Sequence, residues 1–186
     1  MIGELPTNLE VNGRKLPILS TDYRNALLIF QAFNDPDLKS NEKQYIMIDA
    51  LLGIENLNRS EMDEASKKCA WFLDGGKSYD KKVPEPKTMD WIQDEQLIFS
   101  AVNHVAGKEL RTEQYIHWWT FLGYFNEIQD GLFSYVLSIR QKRSKGKKLD
   151  KAEQEYYSAH KDLIDIEVPE SDADKAYKEE LNQRFK

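Results

Sequence analysis

A chain of 186 residues has room for one core plus appendages, and 40% apolar against 31% charged residues describes a polar globular protein. No apolar run approaches the ~20 residues needed to cross a bilayer, and the start MIGELPTNLEVNG lacks the basic beginning and apolar stretch of a signal peptide. A net charge of −6 opposes nonspecific binding to nucleic acid or anionic lipid, and the single cysteine, Cys69, rules out an internal disulfide and fits the reducing cytoplasm of a cell.

The first element reads as a hairpin: Leu9-Glu10-Val11 and Lys15-Leu16-Pro17-Ile18 flank Asn12-Gly13, the dipeptide that favours a tight two-residue turn. Pro17 confines its strand to a sheet edge. A helix is expected from Thr21-Asp22, with Tyr23, Ala26, Leu27, Phe30 and Phe33 on one face and Asn34-Asp35-Pro36 stopping it. Ser40-Asn41 caps a second helix carrying Tyr45, Ile48, Leu51 and Leu52 and closing at Gly53. A third opens at Ser60, buries Met62, Ala65, Cys69, Phe72 and Leu73, and closes at Gly75-Gly76. The charged span Lys77 to Lys87, with Pro84 and Pro86, reads as a solvated loop.

Met89 to Phe125 is the stretch around which the chain is organised. It reads as two helices joined by a turn at Gly107. The first carries the stripe Trp91, Leu97, Ile98, Ala101, Val102 and Val105. The second is expected to start at Thr112 as N-cap, with Glu113 in its first turn, and to bury Ile116, Trp119, Leu122 and Phe125, with Trp118 and Phe121 widening the face. Leu132, Phe133, Val136, Leu137 and Ile139 give the next helix. The run RQKRSKGKK from Arg140 to Lys148 has six basic residues and no acidic one, and reads as a solvated connection broken at Gly146. Asp150 with Glu153 has capping-box spacing ahead of Tyr156, Tyr157, Leu163 and Ile164. Pro169 ends that region, and Ser171 with Asp174 caps a last helix to Arg184 with few apolar positions.

These elements predict a mostly α-helical protein: a compact domain of about six helices with a small N-terminal β-hairpin, plus a helical C-terminal extension. The expected boundaries are residues 1–140 for the domain, 141–149 for a basic linker and 150–186 for the extension.

No side-chain constellation stands out as catalytic. His104, His117 and His160 lack metal-ligand spacing, and the first two fall where satisfied core histidines are the common case. Cys69 lies on an apolar face with no histidine near it. Asp90 and Asp94 sit one turn apart, but a helix start favours carboxylates without any acid–base role. Gly75-Gly76-Lys77 lacks the rest of a phosphate-binding loop. No catalytic, metal or cofactor site is therefore expected, and neither a nucleic-acid nor a membrane partner. Aromatic residues are more suggestive. Tyr115, Tyr124, Tyr156, Tyr157 and Tyr177, with Trp118 beside Trp119, exceed what one small core holds. They either form a partner-binding surface or seal the seams between helices.

Several segments carry a resemblance: Ala70-Trp71-Phe72 with Gly75-Gly76-Lys77; Asp90-x3-Asp94; Ile98-Phe99-x-Ala101; His117-Trp118-Trp119-x-Phe121-Leu122; and Phe133-Ser134-x-Val136-x-x-Ile139-Arg140. Together, from Leu5 to Leu163, they resemble the bacteriophage "gene product fifteen" family of long-tailed phages and prophages, with His-Trp-Trp the most specific part. The resemblance implies a non-enzymatic tail assembly chaperone in the cytoplasm of the bacterial host, acting on the tape-measure protein, with other tail proteins as partners and self-association left open. A structural tail or head–tail connector component retained in the virion is the alternative. The family brings no catalytic residues with it. Residues expected at a partner surface are Tyr115, Trp118, Tyr124, Tyr156 and Tyr157.

Overall fold

Asn12 and Gly13 both adopt positive φ, 47° and 76°, so the tip of the N-terminal hairpin matches the right-handed twist of its strands. Strands β1 (Asn8–Val11) and β2 (Arg14–Pro17) pair antiparallel with Leu9 opposite Leu16 and Val11 opposite Arg14. This computed structural model describes residues 2–77 and 86–184. The expected loop from Lys77 to Lys87 lies for the most part outside the described residues. A two-stranded ribbon is marginal alone, and here Leu9, Val11 and Leu16 are buried in the helical core.

The described residues contain nine α-helices: α1 (Tyr23–Asn34), α2 (Ser40–Leu52), α3 (Met62–Leu73), α4 (Glu95–Ala106), α5 (Trp118–Asn126), α6 (Leu132–Ser144), α7 (Lys151–Ala159), α8 (Lys161–Ile164) and α9 (Asp172–Arg184). The chain is mostly helical with one small hairpin, as its patterning predicts. Helix α3 packs on α2 and β1, α1 packs on α2 and α5, and α4 packs on α5 and α6. The Tyr23 and Phe121 rings stack with centroids 4.7 Å apart at the centre of the core. Trp118 stacks on Phe121 at 5.7 Å, and Trp91 meets Trp118 edge-on at 6.0 Å. A second cluster of Val136, Ile139 and Ile164 joins α6 to α7 and α8, with Tyr135, Tyr156 and Tyr157 around it.

Helix α5 starts five residues later than its sequence predicts, with the N-cap moved from Thr112 to His117. Leu110–Thr112 forms a 3-10 turn, and His117 is the N-cap. The reason is a partner 94 residues away. Tyr23 donates its amide to Ile116 O at 2.9 Å, Trp118 donates to Thr21 O at 2.7 Å, and the Asp22 carboxylate accepts from Ile116 N at 3.1 Å. That antiparallel bridge holds the residues before His117 extended, and long-range pairing overrides the local cap at Thr112.

The late start also turns α5. Trp118 and Phe121 are fully buried, whereas Trp119 and Leu122, expected as core, are half-buried. Phe33, Tyr45 and Val105, assigned to apolar stripes, are exposed; Ile29, Met47 and Phe99 are buried in their helices instead.

The basic run is also corrected. Arg140, Lys142 and Arg143 are not a solvated linker: they lie in the last turns of α6 and pair with Asp94, Glu153 and Asp165. The chain breaks at Gly146, whose φ is 64°. There Gly146 N donates to Arg143 O at 3.0 Å and Lys147 N to Lys142 O at 2.8 Å, the Schellman pattern of a helix end. Asp150 and Glu153 form the expected reciprocal cap of α7, each side chain accepting the other's amide at 2.9 Å.

Candidate partner-binding surface

The sequence-predicted surface residues are scattered. Trp118 lies in the core at 1% exposure, and its indole donates to Leu73 O at 2.8 Å. It lines an aromatic cleft together with Phe30, Trp91, Trp119, Leu122 and Phe125. Tyr115 is 56% exposed, with its hydroxyl 2.6 Å from Thr21 Oγ1. Tyr124 is half-buried against the main core. Tyr156 packs between Tyr135 and His160, with ring centroids 5.1 and 4.2 Å away. Tyr157 donates its hydroxyl to Asp165 at 3.0 Å beneath the Arg143 guanidinium, and burial together with that carboxylate raises its pKa. Tyr156 and Tyr157 thus seal the α6–α7–α8 seam. No single surface contains the five.

His117 is buried, as a core histidine. Its Nδ1 accepts the Trp119 amide at 3.0 Å, so Nε2 carries the proton and donates to Pro6 O at 3.0 Å. His104 is exposed near the end of α4.

Asp90 and Asp94 are buried, and both are fully engaged. Asp90 Oδ1 caps the amides of Ile92 and Gln93 at 2.8 and 2.9 Å, and Oδ2 accepts from Asn34 and Lys87. Burial pushes the Asp90 pKa up, but the Lys87 ammonium and the two amides outweigh it, so the net shift is downward. Asp94 takes the Arg140 guanidinium end-on at 2.6 and 2.8 Å. Arg140 also donates to the carbonyls of Thr88, Leu163 and Ile164. All five of its N–H donors are used, leaving none for a substrate. This cluster is a structural lock between the approach to α4, helix α6 and helix α8. Among the described residues, no group of three or more His, Cys, Asp and Glu side chains is placed to hold a metal ion.

Among the described residues, an open groove of about 910 Å³ between α4, the loop 127–131 and the start of α6 has room for a partner. Leu97, Ala101 and Ile128 are half-buried along it, and Val105 and Leu132 stand 36% and 48% exposed. From Leu97 to Val105 the groove follows α4 for about 12 Å, two turns at the usual helical rise. That length suits the apolar face of another helix.

The family model for Bacteriophage Gp15 protein matches residues 1–166. The chain belongs to the Bacteriophage Gp15 family. No curated protein and no solved structure matches it. The family match takes in α1 to α8 and the whole groove; α9 lies beyond it. Within the family's span, His-Trp-Trp is structural: His117 starts α5, and the two indoles receive the open end of α3. Sequence reasoning missed the groove because Val105 and Leu132 satisfy helical periodicity as well as buried residues do. The polar stretch Glu127 to Gly131 between them was the available signal, since loops carry binding more often than helix interiors do.

Proposed function

We propose that this bacteriophage protein is a non-enzymatic tail assembly chaperone. In this reading it binds the tape-measure protein in the host cytoplasm and gives it up as the tail tube forms. Family membership supplies the phage setting, and the α4–α6 groove is the observation that carries the reading. A tape measure is a long amphipathic helix whose apolar stripe lacks a partner before the tube exists, and uncovered stripes aggregate. A groove two turns long, apolar at its centre and open to solvent, can cover part of such a stripe and release it. A non-enzymatic role accords with the engagement of Asp90, Asp94 and Arg140 in structural contacts.

The test is co-expression with a fragment of the tape-measure protein from the same phage or prophage. The expected result is a fragment that becomes soluble and co-purifies. A fragment that stays insoluble, and is never recovered with this protein, contradicts the reading.

A further inference from the structure

We propose that the α4–α6 groove takes an amphipathic helix whose polar flanks carry lysine or arginine, held against an acidic lip formed by Glu127 and Asp130. The inference deepens the chaperone reading and rests on it for the kind of partner, but the groove's own chemistry sets the charge. Val105 and Leu132 are exposed on the two sides of the groove, above half-buried Leu97. Such a pair can receive apolar residues at i, i+3 or i+4, and i+7 of a docked helix.

The lip is electrostatically lopsided. Glu127 and Asp130 are exposed at its edge, and neither pairs with a cation among the described residues. Lys108, the lysine lining the groove, is already held by Glu113 at 3.0 Å. The uncompensated charge at the mouth is therefore negative. An incoming basic flank completes two ion pairs, whereas an acidic flank meets repulsion.

Two synthetic helical peptides sharing one leucine–alanine stripe, one flanked by lysine and one by glutamate, test the assignment by fluorescence anisotropy against the full chain. The lysine peptide is expected to bind roughly fivefold tighter at low salt, the scale of two exposed ion pairs, with the advantage shrinking at high salt. The double variant Glu127→Lys/Asp130→Lys should reverse the preference. Leu132→Glu should weaken both peptides about tenfold or more with unchanged circular dichroism, because Leu132 opens α6, where an acidic residue suits the helix dipole. Equal binding of the two peptides overturns the proposal. So does an unchanged affinity in Leu132→Glu, or a groove that proves to be filled by a second copy in sedimentation experiments. These peptides do not depend on the tape measure. Failure of the chaperone reading alone leaves their preference intact, and failure of the charge preference alone leaves tape-measure solubility intact.

Discussion

Trp118 Nε1 donates to Leu73 O at 2.8 Å, and this bond joins the start of α5 to the end of α3. Its neighbour does the same one residue earlier, with Trp119 Nε1 donating to Phe72 O at 2.8 Å. The last carbonyls of a helix have no partner within it, so the two indoles act as a donor clamp on α3. Trp118→Ala should cost about 3–5 kcal/mol, the range for a buried aromatic truncation. Trp118→Phe keeps a ring but leaves the Leu73 carbonyl without the indole, and should cost about 1–3 kcal/mol. Trp119→Ala, at a half-buried site, should cost less than Trp118→Ala. Urea unfolding of the three variants checks the order; a Trp118→Ala protein as stable as wild type would refute the clamp.

The buried Asp94–Arg140 pair gives the second prediction. Arg140→Ala leaves a carboxylate and two carbonyls of the α8 region without their donor. Breaking such a pair from one side usually costs about 3–5 kcal/mol. Arg140→Lys should recover little, since an ammonium cannot reproduce five directed N–H contacts. Hydrogen exchange should show α7 and α8 losing protection first. Uniform loss across all helices would argue against a local lock.

A third prediction concerns pH. The Arg111 guanidinium, the Arg111 amide and Asn103 hold the Glu109 carboxyl down at about 2. Asp90 is also shifted downward, its burial being outweighed by Lys87 and the capping amides. A carboxyl with a depressed folded pKa adds stability that is complete above its unfolded pKa, about 4, and lost as pH falls through the folded value. Asp74 works the other way, because burial raises its pKa against the pull of Lys77, so protonating it on acidification favours the folded state. Glu61, lowered by the Asn58 amide and the Arg14 guanidinium, joins Glu109 and Asp90, and these three depressed groups should dominate. The urea midpoint should drop between pH of about 4 and about 2, and Glu109→Gln should flatten that drop. A midpoint that rises on acidification would contradict the balance.

Burial pushes the Cys69 thiol up to about 12, which leaves almost no thiolate at neutral pH. A disulfide reagent should therefore leave the native protein unlabelled and react only over the denaturant range in which tryptophan fluorescence reports unfolding. Rapid labelling of native protein would show that the α3 face opens locally.

The parts legible in the sequence are those decided by neighbours along the chain. Asn12-Gly13 dictates its own turn, and Asp150 with Glu153 its own cap. What escaped was decided across space. Thr112 is a sound local cap, but the pairing of residues 21–23 with 116–118 removes it from the helix. Arg140 looks like the first member of a basic run, yet its partner Asp94 lies 46 residues back. Periodicity alone favours neither Trp118 nor Trp119; the pairing of residues 21–23 with 116–118, which sets where α5 begins, decides which one is buried. The groove was hidden for the same reason, since an exposed Leu132 and a buried Phe133 read alike in one dimension.

In the proposed chaperone role, the protein acts during assembly and leaves before the particle is complete. Quantitative mass spectrometry of infected or induced cells and of purified virions measures this directly. Abundant protein is expected in the lysate and none above background in the virions, with tape-measure peptides present in both. A fixed number of copies in every finished particle would contradict it and identify a structural tail or connector component instead.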